Sequence, residues 1–212
     1  MNLVDLFILL IIAVFVLNGL YKGFVHAVAN VVSFLLSWII SLIFYPLLSN
    51  SLNNHHDLIT TLSRYVEGAE RLGSVESANM LVSNISQTDL NAVVNNTDFP
   101  QPFPSLITQN VQNSAFSNSG LTTLGEYTNQ TIATVVVNII AFLILFLIIR
   151  LILSFVVNAA DKTFSFPMLK QFDGLLGGAF GLVSGVLTAF VIFTIVPVFL
   201  AVQSVKVFEQ YF

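Results

Sequence analysis

Apolar residues run almost without interruption through four stretches, and polar residues take over between 49 and 131. A helix crossing a hydrocarbon core needs roughly 20 apolar residues at about 1.5 Å of rise each. The pattern therefore predicts membrane spans at Leu3 to Tyr21, Phe24 to Leu48, Ile132 to Val157 and Leu175 to Val202. The first has no positive region before it and no small-residue cleavage site after it, so it reads as a retained helix rather than a signal peptide. Leu20, Tyr21, Lys22 and Gly23 form so short a connection that the first two spans must make an antiparallel hairpin, and Asn158 to Gly174 connects a second one. The expected fold class is an all-α membrane protein: four transmembrane helices as two antiparallel hairpins, with a polar, partly helical extracytoplasmic insert between helices 2 and 3. The corresponding divisions are 1–48, 49–131 and 132–212, the last ending in a short tail.

The insert is rich in Asn, Ser and Thr and carries a Pro-x-Pro-x-Pro run at Pro100, Pro102 and Pro104. Leu58, Ile59, Leu62, Tyr65 and Val66 recur at helical spacing, and weaker helical stretches fall at Asn79 to Ile85 and Asp89 to Val94. These predict a small helical cap or helices lying on the membrane surface. Sequons at Asn84, Asn95 and Asn129 suit an outward segment, though short matches of this kind are common in Asn-rich sequence.

Composition agrees with a membrane reading, since 56% of residues are hydrophobic and 8% charged, against about a quarter charged in soluble domains. The formal charge of −4 is dispersed, with no basic cluster, which argues against nucleic acid as a partner. With no cysteine, disulfides and thiolate sites are excluded. The hairpin connections hold Lys22, Lys162 and Lys170, whereas Arg64 and Arg71 lie in a long loop and Lys206 near the C-terminus. The positive-inside rule then puts the hairpin tips in the cytoplasm and both termini and residues 49–131 outside it.

Gly177, Gly181 and Gly185 repeat every four residues and share a helix face, with Gly174 and Gly178 in an adjacent row. Glycine costs a helix about 1 kcal/mol in water. In lipid, a groove of small residues lets two backbones approach and supplies the dispersion contacts that hold a bundle. This face is expected to pack on another helix, within the chain or in a dimer.

The opening NLVDLFILLII, the turn YKGF and the run FDGLLGGAFGLVSGVL together resemble the colicin V production family of small bacterial inner-membrane proteins. The resemblance covers both hairpins and skips the insert. It implies that Asp5, Gly19, Gly23, Phe24, Asp173, Gly177, Gly181 and Gly185 occupy the family's characteristic positions. This chain departs from the family where His26 and Ala27 replace a common acidic residue and Ser184 a frequent basic one. The resemblance implies a link to toxin production and the envelope, without a molecular activity. Relatives that fuse this unit to an outward-facing protease agree with an external C-terminus.

Arg150 is the formally charged side chain well inside a span, about 10 Å of helix rise from Val157. It can snorkel to the headgroups, or form an ion pair with Asp173, which enters the neighbouring span from the same side. Asp5 can favour the first helix through its macrodipole or contact a partner.

Enzymatic readings find little support. Ser184 and His26 would enter their spans at different depths, and GLVSG is not a GxSxG elbow. His55, His56 and Asp57 lack a further ligand at supporting spacing. No cofactor or metal is implied. Two functions remain: a non-enzymatic scaffold that binds the bilayer, other copies of itself or other envelope and export proteins, and an oligomeric channel or transporter. Candidate pore-lining groups are Asn30, Ser33, Ser37 and Ser41 on one helix face, with Asn138, Ser154 and Thr188, while Pro197 is a candidate kink.

Overall fold

The computed structural model describes residues 3–160 and 172–202. Lys162, Lys170 and Lys206, which enter the expected orientation, lie outside the described residues, as does the side chain of Pro197. Among the described residues every regular element is helical: α1 (Leu3–Lys22), α2 (Phe24–Asn53), α3 (His56–Tyr65), α4 (Val75–Ala78), α5 (Gln87–Asn95), α6 (Phe103–Gln112), α7 (Leu124–Ala160) and α8 (Asp173–Val202). Four of them, α1, α2, α7 and α8, are long and apolar enough to cross a membrane.

The chain divides into two compact units, Met1–Leu47 with Ala141–Thr194, and Leu48–Ile140 with Ile195–Phe212. In the first, Phe34, Phe146 and Val191 form a small core to which Trp38, Phe142, Leu143 and Leu187 add. The rings of Phe34 and Phe146 meet edge to face at 5.3 Å, an arrangement favoured by the aromatic quadrupole. Leu10, Leu17, Leu147, Phe155 and Leu175 are exposed. Such an exterior suits lipid, which solvates apolar side chains while the backbone is satisfied within each helix.

The second unit has its own core, built from Leu72, Leu90, Val94, Phe99, Phe103, Ile107, Val111, Leu124, Tyr127 and Ile132 among others. The helical stretch expected at Asn79 to Ile85 is not helical. There Leu81 bridges Thr123, Val82 donates to the Thr122 carbonyl at 2.9 Å, and the Met80 carbonyl accepts from Leu124 at 2.9 Å. These bonds to a distant segment replace those a helix would make. The proline run leads into α6, where Pro104 stands at the start of the helix and loses no intrahelical bond.

The third apolar helix begins eight residues earlier than its apolar run, at Leu124 rather than Ile132. Thr123 and Glu126 make a reciprocal cap: Glu126 Oε2 accepts the amides of Thr122 and Thr123, and Thr123 Oγ1 accepts that of Glu126. Thr128 and Thr131 are buried and donate to the carbonyls four residues back, at 2.8 and 2.7 Å. Polar residues thus continue the helix. At 37 residues, α7 is about 55 Å long, well beyond a hydrocarbon core of about 30 Å. In the same unit Arg71 lies over the Phe99 ring at 5.7 Å. Burial lowers its pKa below the ordinary value, against the opposing pull of Asp98 and Glu67.

Candidate functional site

The turn between α1 and α2 consists of Gly23 alone, at φ +87°, a region that side chains with a Cβ rarely enter. Its amide donates to the Gly19 carbonyl at 2.9 Å and its carbonyl accepts from Ala27 at 3.1 Å, so helical bonding passes through the reversal of φ. The first amide of α2, on Phe24, has no carbonyl four residues back to meet. Asp173, in the first turn of α8, meets it instead: Oδ1 accepts the Phe24 N–H at 2.9 Å. A Cβ on Gly23 would stand 2.1 Å from Asp173 Oδ2. Phe24 itself packs edge to face on Phe180, at 5.4 Å.

From this corner the glycines of α8 lie along α1. A Cβ on Gly177 would fall 2.2 Å from the Gly19 carbonyl oxygen, one on Gly181 2.4 Å from that of Phe15, and one on Gly185 2.9 Å from Ile12 Cα. The contacts run in opposite directions along the two helices. Gly19 completes the seam from the other side, where a Cβ would stand 2.1 Å from the Gly177 oxygen. Gly174 and Gly178 face Leu20: a Cβ on the former would stand 3.3 Å from its carbonyl oxygen and one on the latter 2.7 Å from its side chain. Both expected rows therefore meet α1 of the same chain, at separations that admit only hydrogen on the facing carbons of the central three.

Arg150 and Asp173 are not brought together. Arg150 donates through Nη1 to the Asn30 carbonyl at 3.1 Å and through Nη2 to Asn30 Oδ1, and its guanidinium lies 5.6 Å from the Phe34 ring centre. Asp173 is engaged at Phe24, six residues and about 9 Å of helix rise away from Asn30. The expected ion pair is thus replaced by an amide clamp with a cation–π contact. Asn30 and Arg150 stand one turn from Phe34 and Phe146 in opposite chain directions, so the guanidinium meets α2 at its own level.

The serine face of α2 is buried, at Ser33, Ser37 and Ser41. Ser37 Oγ donates to the Ser33 carbonyl at 2.7 Å and Ser41 Oγ to that of Ser37 at 2.6 Å. Their donors are therefore spent on the helix that carries them. Thr188 does the same to Ser184 at 2.8 Å, and Ser154 is exposed. In the second unit Asn138 Oδ1 accepts from Ser49 Oγ and, at 3.1 Å, from Asn53. Among the described residues Ser184 Oγ is buried without a hydrogen-bond partner, and His26 is buried on α2. Asp5 is exposed in the first turn of α1. Among the described residues no three His, Cys, Asp or Glu side chains gather as a metal site would require. The glycine spacing signalled the seam, but no local signal tied Arg150 to Asn30 or Asp173 to the Phe24 amide.

The family model described as colicin V production protein matches residues 4–81 and 111–210. No curated protein matches the chain, and no solved structure does.

Proposed function

We infer the function from one premise: the chain belongs to the colicin V production protein family. It is a multi-pass protein of the bacterial inner membrane, a non-enzymatic scaffold or accessory factor in toxin production or export and in envelope maintenance. Its spans form two antiparallel hairpins with their tips in the cytoplasm, so that the termini and residues 49–131 lie outside. The observation that carries a scaffold over a channel is the buried serine face of α2, whose hydroxyls at Ser37 and Ser41 bond to their own backbone. Conducting paths are lined by polar groups left open to the permeant species or by broken helices. Self-bonded hydroxyls at a helix contact act instead as small packing residues.

With its glycine rows occupied by α1, the chain meets other envelope or export proteins, or further copies of itself, through the remaining apolar exterior and the insert. Reconstitution into liposomes with ion-flux recording tests this reading. The expected flux equals that of protein-free liposomes, and a reproducible selective current would transfer the assignment to an oligomeric channel.

A further inference from the structure

The insert carries a feature that the family match leaves out. Between α5 and α6 lies an open cleft of about 590 Å³, bordered by Asn91, Asn95, Gln101, Thr108, Gln109 and Gln112. That volume falls within the range of about 300–1,000 Å³ typical of small-ligand sites. Apart from Gln112, these residues lie within 82–110, the stretch that the family model does not match. Most of the cleft's lining therefore lies in the stretch that the family model does not match.

Its origin is the amphipathic pattern of the two helices. Leu90 and Val94 of α5, and Phe103, Ile107 and Val111 of α6, are buried in the core of the insert. The positions that follow Leu90 and Val94 are Asn91 and Asn95, one turn apart. On α6, Thr108, Gln109 and Gln112 form the facing row at helical spacing. Among the described residues none of these six side chains makes a hydrogen bond. Ser105, on the same border, is occupied by the Pro102 carbonyl at 2.7 Å.

We propose that this cleft binds a neutral glycan. Each free side-chain amide presents donors and an acceptor side by side. A sugar hydroxyl likewise donates and accepts, so paired hydroxyls or an N-acetyl group match such a row. No charged side chain lines the cleft, which disfavours an ionic ligand, and Pro104 is its one apolar lining residue, which disfavours a hydrophobic one. An extended peptide is a poorer fit, because helices offer no strand edge to pair with and the walls hold no apolar pockets for alternate side chains. Without an aromatic platform, affinity rests on hydrogen bonds exchanged with water, so binding is weak and fast.

The test uses the full-length protein in detergent, observed by saturation-transfer NMR with chitotetraose and maltotetraose, and by co-sedimentation with purified peptidoglycan. Transfer to a tetrasaccharide is expected, and the double variant Asn91→Ala/Gln109→Ala is expected to weaken it about tenfold at an unchanged melting temperature, since neither side chain supports the fold through a hydrogen bond. Binding to peptidoglycan that the same variant abolishes supports the polymer as the source, and binding to soluble sugars alone supports a free oligosaccharide. The proposal is overturned if no glycan binds, if the variant binds each of them like wild type, or if a glycine–serine tetrapeptide binds in their place.

Discussion

Asp173 Oδ1 accepts the backbone N–H of Phe24 at 2.9 Å, across 149 positions of sequence. One carboxylate thereby satisfies the first amide of α2 while standing in the first turn of its own helix, where a negative charge also complements the macrodipole. Asp173→Ala should remove a charge-assisted hydrogen bond worth about 1.5–3 kcal/mol and lower the melting temperature in detergent. Gly23→Ala should cost more, because the new Cβ enters an unfavourable φ of +87° and stands 2.1 Å from the carboxylate oxygen. In the double variant the second oxygen is gone, so its loss should be smaller than the sum of the two. Strict additivity in a thermal-shift cycle would show that the carboxylate does not sit at this turn.

The glycine seam predicts a graded series. Gly181→Ala places a Cβ 2.4 Å from the Phe15 carbonyl, which is backbone and cannot turn aside. Gly178→Ala meets the end of the Leu20 side chain, which can rotate. Folded protein recovered from membranes should therefore fall sharply for Gly181→Leu, clearly for Gly181→Ala and little for Gly178→Ala, by fluorescence size-exclusion chromatography. Phe190→Leu is the control, since Phe190 is 62% exposed. Equal recovery across the series would separate α1 from α8 at this contact.

For Arg150 the clamp predicts that its partner is Asn30. Asn30→Leu removes the side-chain acceptor from a guanidinium inside the bundle and should lower folded yield. Removing the charge as well, in Asn30→Leu/Arg150→Leu, should recover part of that loss. The exchange Arg150→Asp with Asp173→Arg should do no better than the worse single variant. A gain in the exchange would restore the ion pair that the sequence suggested.

Topology is testable because the chain has no cysteine of its own. Asn53→Cys and Asn118→Cys should react with a membrane-impermeant thiol reagent in intact cells, and Thr163→Cys should not. The reverse pattern would invert the protein and place the insert and its cleft in the cytoplasm.

The apolar runs by themselves determined that this is a helical membrane protein with four candidate spans, because transfer of a long apolar segment into lipid depends on its own length and composition. The glycine spacing likewise marked one face of α8 for close approach, since helical periodicity is local. The start of α7 was legible too, in the Thr123-x-x-Glu126 cap, but the apolar run drew attention to Ile132 instead. Tertiary structure alone decided that the glycines meet Phe15, Val16 and Gly19, that Arg150 rests on Asn30, and that Asp173 closes the turn at Phe24. The helices of the insert, weak in isolation, acquired their bounds from a shared core between Leu72 and Ile132. In each case the partner lies far along the chain, and its choice depends on how whole helix faces fit together, which no window of sequence contains.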